Sequence, residues 1–224
     1  MLVFLLIIFV VLFFLFMVLP LGKRHFISAG CFLILAVLSG GALIANDTYH
    51  FGMKVKETTT TKSLVSSVSG KMNILLYQPL GNGEEKIYLY KNDAIQKKPK
   101  AIKTKNMSAK TTTTTDTPQV VIKEKRYVYQ NNWSRLMFGL LGNNNELKHR
   151  SYIFKVNQDW YVLSVKQAQK LGKAMKDQNT QQELKQAVMQ ALQTAMQKNP
   201  ALSTQEQQAI TQQATHNFIE NLVK

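Results

Sequence analysis

Residues 1–19 read MLVFLLIIFVVLFFLFMVL, an apolar run without a charged side chain. An α-helix needs about 20 such residues to cross a hydrocarbon core of roughly 30 Å. Residues 26–45, FISAGCFLILAVLSGGALIA, form a second mostly apolar run of similar length. Backbone amides in lipid must be hydrogen-bonded within their own segment, so the two runs predict transmembrane helices at 1–19 and 26–45.

The connection between these runs predicts the orientation of the chain. Residues 20–25 read PLGKRH, and Lys23 and Arg24 are the only charged residues before Asp47. The positive-inside rule places this short loop in the cytoplasm and both termini on the extracytoplasmic side. A cleaved signal peptide is the alternative for the first run, but such peptides begin with positive charge and have a shorter apolar core.

The single cysteine, Cys31, lies inside the second apolar run. Acylation as in a lipoprotein is an alternative, but more apolar sequence follows the thiol where a polar tether is expected. A free thiol that behaves as a small hydrophobe is favoured. With one cysteine no intramolecular disulfide can form, which suits an outer domain on a Gram-positive surface better than a eukaryotic secretory protein.

Residues 46–165 predict a β-rich extracytoplasmic domain built from antiparallel hairpins. One hairpin is centred on Gly81-Asn82-Gly83, since Gly and Asn supply the positive φ of a tight turn. A second hairpin is predicted from residues 151–156 and 160–165, separated by the three residues 157–159. Further strands are expected at 54–67, 72–80 and 120–129, because these stretches are rich in residues that suit a pleated surface.

Two segments within this domain leave alternatives open. The lysine- and threonine-rich stretch near 91–117 predicts a mobile loop, with an edge strand around Thr111–Thr115 as the alternative. Residues 133–141, WSRLMFGLL, predict either a core element or a patch in contact with the membrane, and the core element is favoured.

Residues 166–224 predict a glutamine-rich helical region, with 14 glutamines between Gln167 and Gln213. Capping boxes at Thr180–Glu183 and Ser203–Glu206 mark the starts of helices near 181–198 and 204–222. A connection of about five residues favours an antiparallel helix pair. Its apolar faces are expected to pack on the 166–176 helix or the β domain, or alternatively on a protein partner or another copy.

Catalytic and cofactor signatures are missing from the sequence. It has no nucleophile elbow and no phosphate-binding loop, and the four histidines (His25, His50, His149, His216) do not follow metal-ligand spacing. We therefore expect no enzyme, no catalytic or metal-binding residues and no cofactor.

Charge is the one global signal of a partner. Apart from Lys23 and Arg24, the chain has 26 basic and 13 acidic residues, a net charge of +13. Such a surface attracts anionic lipids or anionic wall polymers. Nucleic acid is not expected, because basic motifs interleaved with aromatic residues are missing. An ordinary solvated lysine-rich surface is the alternative.

The segments NDTYHFGMK (residues 46–54) and RYVY with NNW (residues 126–133) follow two apolar runs. In these features the chain resembles an uncharacterised "domain of unknown function" family of two-pass membrane proteins from Gram-positive lactic-acid bacteria, over roughly residues 1–165. The resemblance implies a bacterial cell membrane and a short β-rich outer domain, and no catalytic residues.

Together these observations predict a non-enzymatic cell-envelope membrane protein whose basic outer domain binds partners or anionic surface polymers. An accessory subunit of a membrane transporter is the alternative, because Gly30, Gly40 and Gly41 offer close helix contacts in lipid. An envelope enzyme is a third possibility with less support.

Overall fold

The computed structural model of the chain describes residues 1–19, 25–68, 70, 72–81, 85–102 and 105–224. These residues form a mixed α+β fold with six α-helices, one short 3-10 helix and two sheets. The helices are α1 (Leu2–Val18), α2 (His25–Tyr49), α3 (Asn132–Phe138), α4 (Val165–Ala174), α5 (Gln178–Lys198) and α6 (Thr204–Val223), and the 3-10 helix is Gly139–Leu141. The strands are β1 (Met53–Ser63), β2 (Asn73–Leu80), β3 (Glu85–Tyr90), β4 (Lys100–Ala101), β5 (Met107–Thr113), β6 (Gln119–Tyr129), β7 (Glu146–Val156) and β8 (Trp160–Ser164).

The strands are ordered β1-β6-β7-β5 in one sheet and β4-β3-β2-β8 in the other. The chain divides into two compact units. Unit one contains Met1–Thr59 and Lys123–Arg150, and unit two contains Thr60–Ile122 and Ser151–Lys224. The helical region 166–224 falls in the same unit as part of the β region.

In unit one, α1 and α2 lie where the sequence predicts helices. The Phe32 ring lies 6.4 Å from that of Phe9 and 5.4 Å from that of Phe16, measured between centroids. Ala29 and Ala36 on the same side of α2 are buried, and small side chains there let the helices approach closely. Residues 20–24 of the predicted cytoplasmic loop lie outside the described residues, and His25 belongs to α2.

Unit two is built in layers. One apolar cluster joins β6 and β7 to β2 and β3 of the other sheet. Its most buried members are Val120, Phe154 and Leu75, around which Tyr88, Tyr90, Tyr152 and Trp160 pack. Alternate side chains of a strand point to opposite faces, so the neighbours of Leu75 lie on the other side of β2.

A second cluster covers that other face of β2 and β8 with α4 and α6. Ile74 and Leu76 of β2 meet Leu171 of α4 and Ile219 of α6 there. Both β2 and β8 are therefore covered on two faces, which explains their continuous apolar runs ILL and WYVL.

The predicted hairpin around Gly81-Asn82-Gly83 is confirmed as a strand pair. β2 and β3 pair antiparallel, with Leu76 opposite Leu89 and Leu80 opposite Glu85. Residues 82–84 lie outside the described residues.

The predicted second hairpin is wrong. β7 lies beside β6 and β5 in one sheet, whereas β8 pairs with β2 in the other and runs parallel to it, with Asn73 opposite Trp160. The domain is thus not built only from antiparallel hairpins. The short connection carries the chain from one sheet to the other because β8 is apolar on both faces and fits between a sheet and the helices.

The predicted loop near 91–117 also needs correction, since it contains β4 and the seven-residue strand β5. Thr111–Thr113 belong to β5 at the end of its sheet, the alternative that the sequence left open. Threonine suits an exposed edge strand because its branched side chain fits the pleat while its hydroxyl faces water.

The C-terminal region is helical, as predicted, but one of its helices begins at an earlier residue. Ser203 and Glu206 form the predicted capping box of α6. However, α5 begins earlier than predicted, because Asp177 is its N-cap and accepts a hydrogen bond from the Thr180 amide. A capping box that the sequence reading missed, Ser164 with Gln167, starts α4.

Candidate functional site

The two apolar helices of unit one form its first functional feature. In the described part of the chain, α2 is the one helix long and apolar enough to cross a membrane, and α1 is an apolar helix of 17 residues. Large side chains such as Phe4, Phe14 and Ile34 are exposed on them. Gly30, Gly40 and Gly41 also face open space, since no described atom lies within 4 Å of a Cβ built at these positions.

A buried polar network holds the end of α2 in place. Asn46 is 0% exposed, and its side-chain amide donates to the Phe51 carbonyl at 2.6 Å. The Asn46 Oδ1 accepts from the Asn143 side chain at 2.9 Å. The Tyr129 hydroxyl lies 2.7 Å from Asn143 Oδ1 and 2.9 Å from the Phe138 carbonyl. Because each buried polar group finds a partner, the network fixes how α2, β6 and α3 meet.

Helix α3 packs on this network through Ser134 and Phe138. Ser134 and Phe138 are buried, and the Asn131 side chain caps the helix by accepting from the Ser134 amide. Gly52 has φ +76°, and a Cβ there would lie 3.2 Å from the Phe138 ring. The backbone of Gly52 therefore passes close beneath α3, as only glycine allows.

Three large apolar side chains on α3 and the following 3-10 helix are exposed. Trp133 is 65% exposed, Leu136 48% and Leu140 57%, and we call these three residues the α3 stripe. The expectation that residues 133–141 form a core element is wrong for these side chains. Beside them lies a groove of about 500 Å³, the α3 groove, whose lining includes Met1, Phe4 and Arg135.

Charged and aromatic side chains contact one another in the part of unit one outside its two apolar helices. The ring of His50 stacks on Tyr127 with centroids 3.6 Å apart, and His50 Nε2 lies 3.4 Å from a Glu146 oxygen. Nearby, Glu124 contacts Arg126 at 2.9 Å and Arg150 at 2.7 Å. Burial acts to raise the pKa of Glu124, but the two arginines outweigh burial and lower it.

The most basic stretch of unit two is residues 91–110, the lysine segment, which has seven lysines and one acid, Asp93. Lys97, Lys98, Lys105 and Lys110 are exposed. Within the described residues none of these four amines forms an ion pair. Their charge is therefore available to an anion in solution.

Unit two also contains a groove of about 660 Å³ that the sequence reading missed, which we call the polar groove. It is lined by Thr111–Thr113 of β5, residues 157–159 of the β7–β8 connection, and residues of α6 that include His216. The His216 ring stacks on Tyr161 at 4.8 Å. Its described lining carries one acid, Asp159, and no lysine or arginine, so the polar groove offers hydroxyl and amide groups rather than an anion site.

No metal or catalytic centre was predicted from the sequence. Among the residues that the structure describes, no group of three or more His, Cys, Asp or Glu side chains could hold a metal ion. Of the adjacent acids Glu84 and Glu85, Glu84 lies outside the described residues and Glu85 is an exposed residue at the start of β3.

Comparison with known proteins identifies a protein family that matches the chain. No curated protein and no solved structure matches the chain. The family model of the domain of unknown function DUF4811 matches residues 23–171, from just before α2 into α4, so that α1, α5 and α6 lie outside the match. This confirms the resemblance to an uncharacterised domain family. Because the match covers well over half of the chain, the chain belongs to the DUF4811 family.

Proposed function

We propose that this chain is a two-span protein of a Gram-positive bacterial cell membrane whose folded part lies outside the cytoplasm and binds anionic surface polymers without catalysis. The exposed lysine segment is the observation that carries this proposal. Four of its amines have no acidic partner among the described residues, so a polyanion would meet them without displacing existing ion pairs.

The membrane part of the proposal rests on α1 and α2. At 1.5 Å per residue, α1 is about 26 Å long and α2 about 38 Å. The large apolar side chains exposed on both helices need a nonaqueous environment. Since α1 packs along α2, lipid that surrounds one helix also surrounds the other. Lys23 and Arg24 between them support a cytoplasmic loop.

Protease accessibility tests the orientation. A protease that cannot cross membranes, added to intact protoplasts, should digest the chain beyond α2. Lysed protoplasts provide the control that the protease cuts the chain at all. Complete protection in intact protoplasts together with digestion after lysis would place the folded part in the cytoplasm and contradict the proposal.

Charge removal tests polymer binding. Replacing Lys97, Lys98 and Lys105 with glutamine should weaken binding of the full chain to teichoic-acid-type wall polymer. The matched control replaces the exposed Lys170, Lys176 and Lys185 of the helical region, which removes the same charge elsewhere. Binding of the wild type should also weaken with salt, because exposed charges are screened over about 8 Å at physiological ionic strength. Equal losses of polymer binding in both triple variants would show that binding depends on net charge and not on the lysine segment.

An accessory subunit of a membrane transporter is the second candidate. It is favoured by Gly30 and Gly41, which share one face of α2 and meet no described atom of this chain. Small residues at such positions allow another transmembrane helix to approach closely. A multi-pass partner that co-purifies stoichiometrically in mild detergent, and is lost on Gly41→Leu but kept on Leu35→Ile, would favour this candidate.

A further inference from the structure

The α3 stripe exposes three large apolar side chains on the surface of unit one. Trp133 and Leu136 of α3 and Leu140 of the following 3-10 helix are exposed, whereas Ser134 and Phe138 of α3 are buried. A large exposed apolar face marks a contact with another apolar surface or with lipid.

The position of the α3 stripe identifies that surface. The Met1 nitrogen, at the start of α1, donates to the Leu136 carbonyl at 3.0 Å. At the end of α2, the Phe51 ring lies 6.3 Å from Phe138, edge to face. Helix α3 therefore contacts the ends of both apolar helices, where Tyr49 and Phe51 are also exposed. Aromatic rings at this level are typical of the membrane–water interface.

The α3 groove adds a chemical preference. The apolar side chains in its lining are Met1, Phe4, Leu136 and Leu140, and the polar side chains are Arg135 and Asn132. No acidic residue belongs to its described lining. An acyl chain fits the walls, and a guanidinium with a neighbouring amide suits a phosphate group.

We propose that α3 and the 3-10 helix lie in the headgroup layer of the bilayer, and that the α3 groove binds one phospholipid, with its phosphate on Arg135. The proposal rests on the proposed function in one respect, that α1 and α2 are embedded in lipid. Lipid is favoured over a protein partner because the α3 groove is continuous with the exposed side of α1 through Met1 and Phe4.

Tryptophan fluorescence tests the depth of α3. The chain has two tryptophans, the exposed Trp133 and the buried Trp160 of unit two. The full chain is reconstituted in phosphatidylcholine vesicles with and without bromine near the glycerol end of the acyl chains, and flotation verifies its insertion. We expect bromine to quench the tryptophan fluorescence of the wild type, and Trp133→Phe to remove this quenching because the remaining tryptophan, Trp160, is buried.

Lipid retention tests the role of Arg135. Native mass spectrometry of the detergent-solubilised full chain with added phosphatidylglycerol should show one lipid fewer on Arg135→Gln. Lys123→Gln, which removes a positive charge from an exposed site of unit one, should keep that lipid. Excess inorganic phosphate should not displace it, since the apolar walls hold the chains.

The outcomes separate the two proposals. A chain that floats with its vesicles but shows no quenching of Trp133 overturns the placement of α3 and leaves the membrane proposal intact. A chain that does not float overturns both. Equal lipid retention by Arg135→Gln and the wild type, or displacement by inorganic phosphate, overturns the phospholipid site.

Discussion

At the scale of single residues, adding a side chain at two glycines should change stability in opposite directions. Gly52→Ala should destabilise unit one by about 1–3 kcal/mol, because its φ is +76° and the new Cβ would meet Phe138 at 3.2 Å and Ser134 at 3.3 Å. Gly172→Ala is the matched control. It lies in α4 with open space around it, so alanine should stabilise by about 0.5–1 kcal/mol. Thermal unfolding of the two variants should therefore shift in opposite directions, and a shift of the same sign would contradict the close approach.

Glu124 supplies a prediction with a pH dependence. Its pKa is lowered below the ordinary 4.5 because Arg126 and Arg150 outweigh the effect of burial. A carboxylate with a lowered folded-state pKa contributes stability above its unfolded pKa, and this contribution is lost as the pH falls through the folded value. Glu124→Gln should hence unfold at a lower temperature than the wild type at pH 7, and the gap should shrink as the pH falls below about 4.5.

The control for this measurement is Glu183→Gln, which removes the same charge from an exposed position of α5. We expect it to melt close to the wild type at pH 7. If the difference in melting temperature between Glu124→Gln and the wild type were unchanged or larger in acid, the contacts with Arg126 and Arg150 would not account for the stability that this carboxylate supplies.

At the scale of elements, α6 binds to the sheet of unit two and α5 binds mainly to α6. Ile219 and Val223 of α6 are buried against β2, β8 and α4, whereas α5, all of whose residues are described, has no buried residue. Truncation after Asp177 should cost about 3–6 kcal/mol, since two buried aliphatic side chains are lost. Differential scanning calorimetry of the full chain and the truncated chain measures this loss.

A role of α5 in binding a partner needs a separate variant. Met189 and Met196 lie seven residues apart on its exposed side. Replacing both with serine should leave the melting temperature nearly unchanged, because neither side chain is buried. If self-association of the full chain also stays the same, the partner surface predicted for these helices does not lie on this side of α5.

The elements also show where sequence reasoning reached its limit. The helices of the tail were predictable from their apolar spacing and the Ser203 cap, because these signals are local. The pairing of β8 was not, since a three-residue connection is compatible both with a hairpin and with a crossing between sheets. The continuous run WYVL was the signal available, because a strand with one solvated face alternates. The α3 stripe was visible as a pattern, but its outward direction depends on the close approach of Gly52, which lies far earlier in the chain.

At the scale of the whole molecule, composition predicted the apolar and helical parts of the chain but not its division into two units. The apolar runs and the helical region were found in the sequence, and one of the runs forms a helix able to cross a membrane. The division into two units was not predictable, because β1, β6 and β7 each contribute residues to both. A boundary inside a continuous strand leaves no composition shift, glycine cluster or proline to mark it. The polar groove was missed for a related reason, since three distant segments line it.

The parallel pairing of β2 with β8 has a consequence for biosynthesis. Asn73 lies opposite Trp160, 87 positions later in the chain, and a ribosome adds about 5–20 residues each second. The apolar segment of β2 thus emerges several seconds before the strand and helices that cover it. Parallel pairing between distant segments is slow to form and leaves intermediates prone to aggregation. A chain interrupted before Trp160 should accordingly need a chaperone to keep β2 from aggregating, whereas one extended through α6 should not.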